Sequence, residues 1–433
     1  MILKKNILVV GLCWWQMANL CAQSYLSYIT KQNPLRPNYS TQVLFEKIKT
    51  IQLYPKGNYL TNQCFPPVVP IGSTLMLEFD EVGTQAGFYA LEIIHCNYNW
   101  LPSQYQPIEY LEGNPIIPIN NFEISHSAKV PYTHFSVEIP RLKLSGNYWL
   151  RVFEEQHYQN TIFSYRFVVY ENQVIIRAKV RRPLGAEPSI RMQQVDFEID
   201  YPSFFQNPAE NVKVVLRQNF RWDNAKIDLK PLFVDETAKR LNYHYFNLEN
   251  AFYAGNEFRV FDTKSLIQLG TNVAKIEYDK LINRIHLYPE KPRKGRVYGT
   301  EPFTDMNGKF LIQHLESNMP TINADYTEVY FYLQENFIPL GEVHVLGGFN
   351  HFIPTTSSLM EYQPSLGLYM AKMLLKQGTY NYQFFVVNPQ NQELNEEPIE
   401  GAFFQTENEY DIIVYYSQAG NRGDRVVGYQ VCK

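Results

Sequence analysis

Gln194-Val195-Asp196-Phe197-Glu198-Ile199-Asp200 alternates polar and apolar side chains without a break. Successive side chains of an extended strand point to opposite faces, so Val195, Phe197 and Ile199 share one face while the amide and three carboxylates share the other. Such a strand lies between a core and water. Outward from it, the same period recurs at Phe135, Val137 and Ile139 against Ser136 and Glu138, and more apolar versions run through 328–333 and 410–416. Turn signals such as Ser145-Gly146-Asn147, Tyr253-Ala254-Gly255-Asn256 and Lys376-Gln377-Gly378 punctuate these runs at spacings that suit β-sandwiches. The best helical candidate is 236–250, and its asparagines and aromatic residues weaken it.

The 433 residues include 32 Tyr and 28 Phe, side chains that pack well on a pleated surface. A chain of this length exceeds one compact core and is too apolar for disorder, so it divides into domains. One joint is expected near Tyr170–Gln173, where Arg166-Phe167-Val168-Val169-Tyr170 gives way to a strand from Val174, and another in the Pro-, Gly- and Lys/Arg-rich stretch 289–302. The expected architecture is all-β, with three consecutive sandwiches at 43–171, 172–290 and 325–418, a linker at 291–324 and a C-terminal tail at 419–433.

The first 22 residues read MILKKNILVVGLCWWQMANLCA. Lys4 and Lys5, a short apolar stretch and Ala22 before Gln23 form the three-part pattern of a secretory signal peptide, with 23–42 as a polar, Tyr-bearing lead-in. A lipoprotein anchored through Cys21 is the competing reading, but Leu20 stands where a small residue is wanted. No later window approaches the ~20 apolar residues of a membrane-spanning helix. The strand patterns and the ending Gly428-Tyr429-Gln430-Val431-Cys432-Lys433 also argue against a membrane β-barrel. Removal of the leader leaves Cys64, Cys96 and Cys432. A Cys64–Cys96 disulfide, with Cys432 spare on the tail, and a reduced Cys96 acting as a small buried hydrophobe stand as alternatives.

Charge and motifs exclude several chemistries. The formal charge of −4 becomes −6 without the two leader lysines, the wrong sign for neutralising a phosphate backbone. Gly-x-Ser-x-Gly, His-Glu-x-x-His and a glycine-rich phosphate cradle do not occur. His95, His126 and His134 are too widely spaced for a zinc signature, so packed or surface histidines are expected, and no catalytic, metal or cofactor residues are assigned. The cluster Lys291, Arg293, Lys294 and Arg296 reads as an exposed linker, with an acidic partner surface as the alternative.

In the third sandwich, Gly347-Gly348-Phe349-Asn350-His351-Phe352, then Gly367-Leu368-Tyr369 and Gly378-Thr379-Tyr380-Asn381-Tyr382, resemble the early-set modules that bind glycogen or starch. Those modules carry a stacking tryptophan where Phe352 stands, so the likeness implies a fold of Ig-like or early-set-like sandwiches and leaves α-glucan binding as an alternative function.

A longer series of phrases resembles the plug protein family of the type IX secretion system. It runs through Phe79-Asp80, Ile93-Ile94-His95-Cys96-Asn97 with Trp100, Tyr132-Thr133-His134 and Ser145-Gly146-Asn147-Tyr148. It continues with Gln193-Gln194-Val195-Asp196-Phe197, Gln218 to Ala225, Gly255-Asn256-Glu257-Phe258-Arg259 and Lys376 to Tyr382, and closes with Glu400-Gly401, Thr406-Glu407-Asn408 and Asp424-Arg425. The resemblance implies a non-catalytic periplasmic protein of Bacteroidetes with no cofactor. Its partner would be the giant outer-membrane β-barrel translocon, whose periplasmic opening it would block when no secretion partner is engaged. Asn219, Arg221, Trp222 and Asp223 combine amide, guanidinium, indole and carboxylate after a strand, a composition suited either to a partner interface or to a cap between strands. A periplasmic α-glucan binder and a hydrolase assembled from scattered residues complete the set of readings.

Overall fold

The computed structural model describes residues 39–433 apart from 300–304, 340 and 419. The leader and nearly all of the expected lead-in lie outside the described residues. Thr41–Lys433 forms one compact unit. The helices described in it are single turns of three or four residues, so strands supply the architecture.

The first sandwich packs a six-stranded sheet on a four-stranded one. In the smaller sheet, Leu75–Val82 lies between Ile48–Pro55 and Tyr132–Glu138, with Asn121–Ile124 at the edge. In the larger, Gly146–Glu154 lies between Tyr89–Cys96 and Thr161–Tyr170. Leu77 and Phe79 from one sheet meet Leu91 and Leu150 from the other. Phe79 stacks on Phe135 at 4.9 Å and meets Phe163 edge-on at 5.0 Å. Each fully buried ring of this kind stabilises the fold by about 1.5–3 kcal/mol.

The alternating strand that opened the sequence reading runs over Met192–Asp200, with Val195, Phe197 and Ile199 completely buried. It pairs along its length with Ile175–Arg181 and, on its other side, with Arg240–Asn242 and Ala251–Tyr253. The facing sheet consists of Lys226–Ile227, Val212–Gln218, Tyr410–Tyr416 and Arg425–Cys432. The second sandwich is therefore closed by the last strands of the chain.

The third sandwich is inserted between those two halves. Gly378–Val387 carries Arg259–Asp262, Phe310–Ile312, Glu342–Leu346 and Leu394–Asn395, and this sheet packs on Val273–Glu277, Arg284–Leu287, Tyr326–Leu333, Leu368–Lys376 and Glu361–Gln363.

All-β sandwiches are thus present, but they are nested rather than consecutive. Strands within the expected second domain, from 259 to 287, belong to the third. The expected linker 291–324 contains a strand and a helical turn, Phe310–Ile312 and Pro320–Asn323. The expected tail 419–433 contains the strand Arg425–Cys432. Proline and glycine mark changes of direction equally well within a sandwich and between two, and the partner of a strand some 190 residues away leaves no local trace. The helical candidate 236–250 instead holds the strand Arg240–Asn242 among turns, because cross-strand pairing with Glu198–Asp200 outweighs its weak helical propensity.

Candidate functional site

Strands with one buried face leave the other for water or for a neighbour. In Leu75–Val82 the core takes Leu75, Leu77 and Phe79, so Asp80 points outward from the first sandwich beside His134, its cross-strand partner. In Tyr326–Leu333 the core takes Val329, Phe331 and Leu333, so Tyr326 points outward from the third beside its cross-strand partner Lys376. The two pairs face one another. Asp80 is fully buried and accepts hydrogen bonds from His134 Nδ1 at 2.7 Å, Tyr326 Oη at 2.7 Å and Lys376 Nζ at 2.6 Å. Lys376 also donates to the Thr321 carbonyl at 2.6 Å and stands 4.1 Å from the centre of the Tyr132 ring. Tyr132 Oη donates to the Ala324 carbonyl at 2.8 Å. Burial opposes ionisation of Asp80, but the Lys376 charge and the His134 hydrogen bond outweigh it and hold the carboxyl below its ordinary range. The result is an ionic lock between two sandwiches, sealed from water by aromatic rings.

The joint between the first and second sandwiches relies on backbone–amide matching and on stacked cations. Asp424 Oδ2 accepts from the Tyr98 amide at 2.8 Å, and Asn97 Oδ1 accepts from the Asp424 amide at 3.1 Å. Tyr415 Oη donates to Asn147 Oδ1 at 2.8 Å, and Arg425 Nε donates to Ser145 Oγ at 3.0 Å. Trp100 meets Trp222 edge-on at 4.8 Å, with Arg166 over the first indole at 4.4 Å and Arg217 over the second at 4.2 Å. Arg217 is itself buried and paired with Asp411. Beside this joint, within the first sandwich, a Cβ at Gly146 would lie 2.1 Å from Nε2 of the buried His95, which is fixed against the Ser145 carbonyl at 3.1 Å.

At the end of the second sandwich that meets the third, Asn219 Nδ2 donates to Asn408 Oδ1 at 2.8 Å and its Oδ1 accepts from the Glu409 amide at 2.9 Å, while Lys309 of the third sandwich pairs with Glu409 at 2.9 Å. Asn219 and Phe220 both have left-handed backbones, φ 52° and 60°, which turn the chain sharply after the strand. Asn408 continues the network to Gln193 Oε1 at 3.0 Å, where Tyr410 Oη also donates at 2.6 Å. Further in, Glu400 is fully buried and receives Arg259 and Arg293 at 2.9 and 2.8 Å. Burial would raise its carboxyl, but the two guanidiniums bring it below the ordinary value.

The residues singled out from sequence fall as follows. Asn219 and Arg221 are buried, Trp222 is half-buried, and Asp223 is the exposed end of an ion pair with Arg221. Asn219 and Arg221 are thus engaged within the chain, while Trp222 stays partly exposed and Asp223 reaches the surface. Cys64 and Cys96 are not bonded: all three cysteines among the described residues are free. Cys64 Sγ lies 3.8 Å from Met306 Sδ and 3.8 Å from the Phe310 carbonyl, while Cys96 is buried on its strand. Cys432 sits on a paired strand opposite Tyr410. His95 is packed among Tyr105, Tyr110 and Tyr148, and His134 belongs to the ionic lock. Of the basic cluster, Arg293 is buried against Glu400, while Lys291, Lys294 and Arg296 are exposed. The Phe352 ring has the Arg221 guanidinium over it at 4.6 Å and meets Phe258 and Phe385 edge-on at 6.1 and 6.2 Å. The Arg217–Asp411 pair was not singled out, since its members stand 194 residues apart and neither breaks a local pattern.

These joints define a class of protein: a nested set of β-sandwiches held as one body by buried polar contacts. The residues 48–171 match the family model described as the type 9 secretion system plug protein 1st domain. A crystal structure of a hypothetical protein from Parabacteroides merdae ATCC 43184 superposes with a TM-score of 0.85 at 31% identity, covering 92% of this chain and 100% of that one. No curated protein matches. The match places the first sandwich of the chain in the type IX secretion system plug protein family.

Proposed function

We propose that this protein is a non-catalytic periplasmic plug. It binds the periplasmic opening of the outer-membrane β-barrel translocon of its secretion system, on the inner side of the outer membrane, and seals the pore when no secretion partner is engaged. The observation that carries the reading is the Asp80–His134–Lys376–Tyr326 lock together with the tryptophan joint and the Lys309–Glu409 pair. A stopper must resist bending across an opening, and these contacts turn separate sandwiches into one stiff body. The phrases that carry the family resemblance fall largely on these joints, which fits a function of shape. Family membership supplies the secretion system. The test is affinity purification of the barrel together with dye exclusion by cells lacking the chain. Co-purification and a leaky outer membrane are expected; a tight envelope and no complex would overturn the proposal.

A further inference from the structure

Beside the Asp80 lock lies a second buried carboxyl without a lysine of its own. Glu78 shares the outward face of Leu75–Val82 with Asp80, and the His134 ring reaches both. His134 Nδ1 is 2.7 Å from Asp80 Oδ1, and Nε2 is 4.0 Å from Glu78 Oε2. Asp80 is ionised against Lys376, so Nδ1 must carry the hydrogen that it donates. A neutral ring then turns a bare Nε2 towards Glu78. Glu78 Oε2 is buried and has no hydrogen-bond partner. Glu78 and His134 are only 9% and 8% exposed, so water does little to compensate.

The surrounding groups supply no further charge to the pair. From the edge strand Ile48–Pro55, the Tyr54 hydroxyl stands against Glu78, while Lys49, opposite Asp80 in the ladder, is set against Glu46. From the third sandwich, Tyr326 and Tyr380 face the cluster with neutral hydroxyls, and Lys376 is committed to Asp80. Tyr59, on the turn Tyr59–Asn62, adds another hydroxyl, which donates to Gln52 Oε1 at 3.3 Å. Glu123, across from His134 on the outer strand, is exposed and screened by water.

With Glu78 ionised and His134 neutral, the seam buries two carboxylates against one ammonium, and a carboxylate oxygen faces a nitrogen lone pair. One added proton removes both conflicts. It can rest on Nε2, giving an imidazolium paired with Glu78, or on Oε2, giving a carboxylic acid turned to Nε2. Burial raises the Glu78 carboxyl above its ordinary range despite the opposing pull of His134, Tyr54 and Lys376, in keeping with a retained proton.

We propose that the seam between the first and third sandwiches is a proton-dependent latch: Glu78 and His134 hold one proton between them at neutral pH, and its loss to water at higher pH loosens the seam. Deprotonation strands a buried charge, and water reaches that charge only where the two sandwiches part. The inference concerns this seam alone and is independent of what the whole molecule binds.

The experiment compares the purified chain with Glu78→Gln, which keeps the shape of the side chain and removes its titration. A carboxyl raised in the fold contributes stability that is complete below its ordinary 4.5 and is lost as pH rises through its folded value. Between about pH 5 and 7, the ratio of the parent's unfolding constant to the variant's, from urea titrations, is therefore expected to rise about tenfold per pH unit, the limit set by one proton. Titrations of His95 and His351 are common to both chains and cancel. Amide exchange locates the effect. Above pH 7, after correction for intrinsic base catalysis, Tyr326–Leu333 is expected to lose protection in the parent and not in the variant, while Met192–Asp200 of the second sandwich is unchanged in both. Equal pH slopes for parent and variant overturn the inference, as does a loss of protection spread evenly over all three sandwiches. Where Glu78→Gln fails to fold, the NMR shifts of the Glu78 carboxyl carbon and the His134 ring nitrogens in the parent decide. A proton on one of the two groups at pH 7 is expected; an ionised Glu78 beside a bare Nε2 overturns the inference.

Discussion

Lys376→Met tests whether the lock holds the first and third sandwiches together. The substitution keeps most of the side-chain volume and removes the ammonium that donates to Asp80 Oδ2 and to the Thr321 carbonyl, each at 2.6 Å. Asp80 retains His134 and Tyr326 as donors but becomes a buried carboxylate without its lysine. Leaving one member of a buried pair uncompensated costs about 3–5 kcal/mol. Asp80→Asn alone leaves the ammonium stranded at similar cost. The double substitution removes both charges and is expected to cost less than the sum of the single ones by about 1–3 kcal/mol.

The assay is urea unfolding of the four proteins, followed by intrinsic fluorescence and by amide exchange at Tyr326–Leu333. Acid sharpens the test. The Asp80 carboxyl is held below its ordinary 3.8 in the fold, so its contribution is complete above that pH and disappears as pH falls through the lower folded value. In Lys376→Met, burial acts on Asp80 without the opposing lysine charge, so the gap between parent and variant is expected to narrow below about pH 4. A loss under about 1 kcal/mol for Lys376→Met, or single costs that sum to the double within about 0.5 kcal/mol, would refute the reasoning.

Three further outcomes follow from the same geometry. Gly146→Ala drives a Cβ against the fixed His95 ring and is expected to destabilise by about 1–3 kcal/mol, read as a lowered thermal midpoint; an unchanged midpoint would show that the His95 packing yields. Burial lowers His95 and His351 to about 4, so the fold takes up their protons later than the unfolded chain does, and stability should decline as pH falls from about 6.5 towards 4. A urea midpoint that stays level between pH 7 and 5 would contradict this. Alkylation under denaturing, non-reducing conditions followed by mass measurement should find Cys64, Cys96 and Cys432 all modified; a mature chain with two unmodified cysteines would contradict the free thiols.

The strand faces were legible in the sequence wherever a single face is buried. Val195, Phe197 and Ile199 went to a core as their alternation required, and Phe135 and Ile139 did the same. Nesting was not legible, because the pairing of Val212–Gln218 with Tyr410–Tyr416 depends on a return of the chain that no window contains. The joints lay between these extremes. Asp80 and Lys376 both stood in phrases that carry the family resemblance, yet an outward-facing aspartate reads the same whether water or another sandwich covers it. Asn219 to Asp223 was similarly ambiguous: its left-handed turn ties Asn219 to Asn408, while Asp223 stays at the surface.

The central claim is that this body works by obstruction. Its most direct test is solute efflux from liposomes containing the purified translocon barrel, with and without the purified mature chain. The account predicts that one equivalent of the chain closes the barrel to a small fluorescent solute. Efflux undiminished at saturating parent protein would contradict it.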